Sequence, residues 1–221
     1  MLNDPLEFNP ILKGLGKSQF DDYILSGTDL PSSDFWYRTQ FVLPHIDGYG
    51  VLSLTKNPDS FKMWSFYANG HKGFLLEFAS HFNEIKEFKS LNGSVYPIKR
   101  VRYRREYVID FKKIIKNDGI DIEAFRDEYF YTKTAIWKEE KEYRFVRDLR
   151  DLGKVNQEIN IGFRRQYEPR YFSPLPSDAI SSIAFGASMP TEKKKCIAGL
   201  CEGTKIKLFQ AYLVRSKFNF N

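Results

Sequence analysis

Between Phe61 and Tyr67 the chain packs Phe61, Met63, Trp64, Phe66 and Tyr67 into seven positions, and no other stretch limits its fold so tightly. Asn57 and Pro58 just upstream supply an N-cap and a proline at the first helical position, and Gly70 supplies a stop. The pattern predicts a helix over 58–69. A helix that is apolar on nearly every face belongs against a sheet. Strands are expected on both sides of it, over 51–55 after Gly50 and over 74–78 after Gly73.

The punctuation continues along the chain. Residues 13–33, rich in Gly, Ser and Asp around Phe20, Tyr23 and Leu25, predict an irregular surface loop, a candidate lid. Ser33 can cap a short aromatic helix over 34–43 that Pro44 stops. Downstream, the patterns predict a strand over 95–105, helices over 110–116 and 122–137, and strands over 142–146, 158–163, 180–185 and 206–214. A further helix over 190–202 ends at Gly203. Helices and strands mix without strict alternation. The expected class is therefore α+β rather than a doubly wound parallel sheet: a single domain, 1–221, with a central, mostly antiparallel or mixed sheet and flanking helices. With 20 Phe and 13 Tyr in 221 residues there is ample apolar surface to offset the entropy of ordering such a chain.

The same sequence excludes several classes. Residues 1–10 lack the basic segment, apolar run and small-residue cleavage site of a secretory signal. Every apolar run is broken by charge well short of the roughly 20 residues that span a bilayer. A cytoplasmic chain without membrane association is expected. Cys196 and Cys201 fall on different faces of a predicted helix with no second pair, and His45 and His81 sit in no ligand spacing, so no metal is expected. The chain has no Gly-rich loop ending in Lys-Ser/Thr, no Gly-x-Ser-x-Gly and no His-Glu-x-x-His, which removes NTPase, serine-hydrolase and zinc-protease readings.

Thirty-four Lys and Arg against 28 Asp and Glu leave a charge of +6, enough to draw anions. The run Lys99, Arg100, Val101, Arg102, Tyr103, Arg104, Arg105 interleaves cations with an aromatic ring. On a strand, Arg100, Arg102 and Arg104 would share one face opposite Val101 and Tyr103. Such a face neutralises phosphates and offers a stacking platform, which makes Lys99, Arg100, Arg102, Tyr103 and Arg104 candidate nucleic-acid residues. The plainer reading is an edge strand guarded from aggregation by its charge.

Three blocks resemble a bacterial domain family of unknown function. Asn3, Asp4, Pro5 and Glu7 give its Asn-Asp-Pro-x-Glu start. Met63, Trp64, Ser65, Tyr67, Ala68, His71, Gly73 and Phe74 give Met-Trp-Ser-x-Tyr-Ala-x-x-His-x-Gly-Phe. Trp137, Glu140, Glu142, Tyr143 and Arg144 give Trp-x-x-Glu-x-Glu-aromatic-Arg, and an Ile-x-x-Gly strand end follows at Ile183 and Gly186. The family carries a strand before its start, where only Met1 and Leu2 stand here, and a histidine where Phe66 stands. The resemblance thus implies a truncated N-terminus, the loss of a substrate contact and an inactive relative as one outcome.

The chain is also similar, more distantly, to the ADP-ribosyltransferase superfamily, including its toxin-like bacterial members. Ser53 and Thr55 would be the strand end, the aromatic helix running to His71 would follow, and Glu140 and Glu142 would be the late acidic pair. That resemblance implies NAD as substrate, a nucleic-acid or protein acceptor, and a toxin or phage-defence setting. Breaking the nicotinamide–ribose bond leaves an oxocarbenium-like ribose, which Glu142 would stabilise. Glu140 would orient or deprotonate the acceptor, and Arg144 would pair with Glu142 or reach a phosphate. Trp64 or Tyr67 would stack on nicotinamide, and His71 would bind a phosphate or ribose. If the segment from Glu140 is extended, period two puts Glu140, Glu142 and Arg144 on one face, bordering a cleft or solvent. The plainer readings are a solvated ion-pair ladder for that trio, core packing for Trp64 and Tyr67, and a helix cap for His71. A non-catalytic nucleic-acid-binding or interaction module is the alternative to the transferase.

Overall fold

The computed structural model describes residues 11–13, 43–80, 82, 97–116, 119–161, 164–173, 175–214 and 217–220. The block over 3–7, His81 and nearly all of the expected loop and helix over 13–43 lie outside the described residues.

The first described elements are β1 (Ile11–Lys13) and the single turn α1 (Leu43–Ile46). Gly48, at φ 88°, then turns the chain into β2 (Tyr49–Thr55), which is followed by α2 (Phe61–Tyr67) and β3 (Phe74–Phe78). Short strands come next: β4 (Ile98–Arg100), β5 (Arg102–Arg104), β6 (Val108–Asp110), β7 (Ile115–Lys116) and β8 (Gly119–Ile120). Helix α3 (Ile122–Phe130) leads into β9 (Thr132–Thr134) and β10 (Glu142–Asp148). A long hairpin, β11 (Gly153–Ile161) and β12 (Arg164–Phe172), precedes β13 (Ile180–Phe185), α4 (Thr191–Cys201), β14 (Lys207–Val214) and β15 (Lys217–Phe220). Helices and mixed sheets in this order make the protein α+β.

The chain gathers into two compact units that it enters more than once. The first comprises Met1–Leu54, Lys99–Lys138 and Glu142–Arg147; the second comprises Thr55–Ile98, Glu139–Lys141 and Asp148–Asn221. In the first unit the strand order β2-β10-β4 forms a sheet, β5 pairs in parallel with β9, and β1 in parallel with β6. Its core gathers Ile109, Phe111, Phe125, Tyr129, Phe130 and Val146. Helix α3 starts where the Asp121 carboxylate accepts the N–H of Ala124 at 3.0 Å, and it buries Phe125, Tyr129 and Phe130 at i, i+4 and i+5. In the second unit the sheet order is β15-β14-β13-β3, with β13 parallel to β14 and antiparallel to β3. Trp64 and Ala68 of the α2 region pack with Ala184 and Ala211 of this sheet, while Ile197 and Cys201 of α4 pack with Ile183 and Phe185. Alternate β13 residues thus feed two clusters, as period two requires.

Several expectations are corrected. The aromatic helix is shorter than 58–69: Ser60, not Asn57, caps it, with Oγ accepting the N–H of Met63 at 3.4 Å. Only Trp64 of its seven residues is buried, while Phe61, Phe66 and Tyr67 are 49%, 57% and 47% exposed, so the expectation of burial on nearly every face fails. No helix forms over 110–116. Asp110 caps a single 3-10 turn, Phe111–Lys113, that sinks Phe111 and Ile114 into the core and ends. The helix expected over 122–137 stops at Phe130 because the flanking β-branched threonines of β9 pair with β5. The strand over 95–105 is broken at Val101, which is buried and donates its N–H to the Glu142 carbonyl at 2.9 Å. Strand β12 carries no alternation that marked it in the sequence; it is held by its ladder to β11.

Candidate functional site

Three of the expected site residues meet in the second unit. Thr55 ends β2, Tyr67 ends α2, and Glu140 ends a 3-10 turn, Ala135–Glu140. The Tyr67 hydroxyl donates to Glu140 Oε1 at 2.8 Å, and Thr55 Oγ1 donates to the Glu140 carbonyl at 2.6 Å. Asn57 adds a bond from Nδ2 to the Glu139 carbonyl at 2.9 Å, and Lys62 pairs with the Glu139 carboxylate at 2.6 Å. Two consecutive carbonyls of the turn are thereby fixed by side chains of the β2–α2 connection. The acid is buried, whereas Tyr67 is half exposed. Asn57 and Lys62 were not singled out from the sequence: Asn57 reads as an N-cap, and the tie to Glu139 spans 82 positions.

Glu142 does something different, and it belongs to the first unit. Lys141 sits in the left-handed region at φ 48°, immediately after the 3-10 turn, so the period-two alternation begins only at Glu142. Glu140 therefore leaves the face expected to hold all three charges. Glu142 and Arg144 do share a face, but it is buried rather than bordering a cleft or solvent: they are 4% and 0% exposed. Arg144 Nε donates to Glu142 Oε1 at 2.7 Å, its second terminal nitrogen donates to Oε2 at 3.2 Å, and Lys133 Nζ reaches the same Oε2 at 3.2 Å. Arg144 also donates to the Phe130 carbonyl at 2.6 Å. Burial pushes the Glu142 carboxyl up, but the hydrogen bond and charge of Arg144, the charge of Lys133 and a hydrogen bond from Ser53 outweigh it and hold the group below its ordinary value. An ionised, triply compensated carboxylate is an anchor. Arg144, wholly enclosed, is not placed to reach a phosphate, and the solvated ladder becomes a buried pair. Lys133 escaped the sequence reading because a lysine between two threonines looks like a solvent-facing strand residue.

The remaining residues divide between packing and exposure. Trp64 is core, with its indole nitrogen donating to the Pro58 carbonyl at 2.7 Å. His71, at φ 66°, closes the α2 end through its backbone, donating N–H to the Trp64 carbonyl at 3.2 Å. Its ring lies 3.0 Å from Ser65 Oγ through Nε2 and 4.8 Å from the Phe61 ring centre. The loop passes tightly beneath Gly186, whose N–H donates to the Gly73 carbonyl at 2.9 Å while His71 accepts from the N–H of Ser188. A side chain at Gly186 would collide with both carbonyls.

The basic run is largely neutralised within the first unit. Lys99 and Arg102 each lie 2.7 Å from the Asp127 carboxylate, and Arg104 lies 2.8 Å from Glu128. Burial raises the Asp127 carboxyl, but hydrogen bonds from Lys99 and Arg102 and their charges more than offset this and hold it below its ordinary value. The Tyr103 hydroxyl accepts the Glu142 N–H at 2.8 Å, so that residue ties β5 to β10. Arg100 is exposed, with no ion pair among the described residues. A phosphate chain on this stripe would have to displace two carboxylates.

Among the described residues no helix is long and apolar enough to cross a membrane, and no group of three His, Cys, Asp or Glu side chains is placed to hold a metal ion. The fold is α+β, and Tyr67 and Glu140 pair within it beside the turn that ends at Glu140. Residues 63–145 match the family described as protein of unknown function (DUF2971). That range opens at Met63 and closes just past Arg144, so it contains the last five residues of α2, Tyr67 among them, and both Glu140 and Glu142. No curated protein and no solved structure matches the chain.

Proposed function

We propose that this chain cleaves NAD and transfers ADP-ribose, with Glu140 as the carboxylate at the reacting centre. The observation that carries the reading is the 2.8 Å hydrogen bond from Tyr67 to Glu140 on a turn whose carbonyls Thr55 and Asn57 fix. Breaking the nicotinamide–ribose bond sends its electron pair to nicotinamide and leaves positive charge on the ribose. An oriented carboxylate stabilises that charge and takes the proton of the attacking acceptor as the new bond forms. Tyr67 holds Glu140 in one orientation and presents an aromatic surface to the nicotinamide. NAD enters as substrate and the acceptor is a nucleic acid or a protein; the superfamily likeness sets the activity in toxin action or phage defence.

The test is nicotinamide release from NAD by the purified chain, alone and with RNA, DNA or cell extract. Replacing Glu140 by Gln is expected to cut release by about 100-fold or more with folding intact, the usual loss for a positioned proton acceptor. Replacing Tyr67 by Phe is expected to cost about tenfold. Release in none of these mixtures from folded protein, or equal release by wild type and the Glu140 variant, overturns the proposal.

A further inference from the structure

We infer that the first unit carries a separate anion site, a cavity bounded by β5, β6, the turn after β6 and α3, which takes a small phosphorylated molecule with an apolar or aromatic body. The cavity is a half-open cleft of about 670 Å³, within the range that holds cofactor-sized ligands. Arg104, Lys112 and Lys113 line it together with Asp110, Asp127 and Glu128. By formal charge this set is neutral, yet its acids are already engaged. Asp127 is held by Lys99 and Arg102, neither of which lines the cavity, so their charge adds to the field there. Glu128 accepts from Arg104 at 2.8 Å, and Asp110 Oδ1 accepts the N–H of Lys112 at 3.2 Å to start its turn.

The lysines are not engaged in the same way. The Lys112 ammonium has no ion pair among the described residues, and Lys113 lies a loose 3.8 Å from Asp110 with an 83% exposed side chain. The turn Phe111–Lys113 is anchored by the buried Phe111, so two adjacent ammonium groups are presented from a fixed backbone. Phosphate is the natural partner of such a pair. Val108, Ile114 and Ala124 complete the lining. Ala124, Asp127 and Glu128 share one face of α3 by their i, i+3, i+4 spacing. That apolar wall adds nothing for a bare phosphate but suits the body of a phosphorylated molecule.

This inference does not rest on ADP-ribosyl transfer, and its test needs no turnover. The full chain is titrated calorimetrically with guanosine monophosphate and, in parallel, with inorganic phosphate. Guanosine monophosphate is expected to bind at least about tenfold more tightly than inorganic phosphate. Lys112→Glu/Lys113→Glu is expected to weaken it by about tenfold or more, since one charge-assisted hydrogen bond is worth about that factor, whereas Lys112→Arg/Lys113→Arg keeps binding. These exposed positions leave the core untouched, so circular dichroism should match wild type. Absence of guanosine monophosphate binding, binding that ignores the Glu substitutions, or inorganic phosphate binding equally well each overturns the inference.

Discussion

Replacing Glu142 by Gln separates an anchor from a reacting group. The side chains of Glu142, Lys133 and Arg144 are 6%, 3% and 0% exposed. The substitution removes the negative charge that both Lys133 and Arg144 reach, and it turns an amide donor toward their own donors. Breaking a buried pair in this way costs about 3–5 kcal/mol, because the surviving cations stay desolvated. With a urea m-value of about 2–3 kcal/mol per molar, the unfolding midpoint should fall by about 1–2.5 M when followed by far-UV circular dichroism. Adding Lys133→Met to Glu142→Gln removes one stranded cation and should restore at least about 1 kcal/mol. The pH dependence has a definite sign. The folded carboxyl lies below its ordinary value of 4.5, so its contribution is complete above about pH 4.5 and is lost as the pH falls through the lower folded value. The gap between wild type and variant should close in acid. A variant within about 0.5 kcal/mol of wild type at neutral pH, or a double variant no more stable than the single, would refute the anchor role.

Other perturbations read other parts of the fold. Gly186→Ala places a methyl 2.7 Å from the Gly73 carbonyl and nearer still to that of His71, so it should cost about 3 kcal/mol and lower the melting temperature accordingly. Asp127→Asn/Glu128→Gln releases Lys99, Arg102 and Arg104; RNA binding measured against salt should strengthen and gain a steeper slope, while wild type binds weakly. Trp64→Phe leaves the Pro58 carbonyl without its indole donor and part of the core unfilled, a loss of about 2 kcal/mol in urea unfolding.

What the sequence made legible was set by local signals. Strand β13 could be read from its apolar run, and α4 from Pro190 and Gly203, because each element is decided by residues inside or next to it. The 3-10 turn at Phe111–Lys113 could not, since Asp110 and the burial of Phe111 and Ile114 override a helical pattern through tertiary contacts. The same holds for the aromatic block: its composition argues burial all round, yet only Trp64 and Ala68 face the sheet. Glu140, Tyr67 and Thr55 could each be singled out from the sequence, but their meeting could not. The Tyr67–Glu140 bond joins positions 73 apart. Nor could spacing show that Lys141 adopts a left-handed conformation, and that one dihedral decides which acid enters the ion-pair cluster.

Two glutamates separated by one residue thus meet different surroundings. A carboxylate works as a proton acceptor when its pKa lies near the working pH, and as an electrostatic stabiliser when its charge is not already cancelled. Glu142 meets neither condition: Arg144 and Lys133 hold its pKa below the ordinary range and neutralise its charge at close distance. Glu140 instead accepts from two hydroxyls, that of Tyr67 on its carboxylate and that of Thr55 on its carbonyl, which orient the group. The late acid of the pair, which the superfamily resemblance makes the catalytic one, is buried here in an ion-pair cluster with Arg144 and Lys133. A single left-handed residue, Lys141, sends the two side chains to different partners.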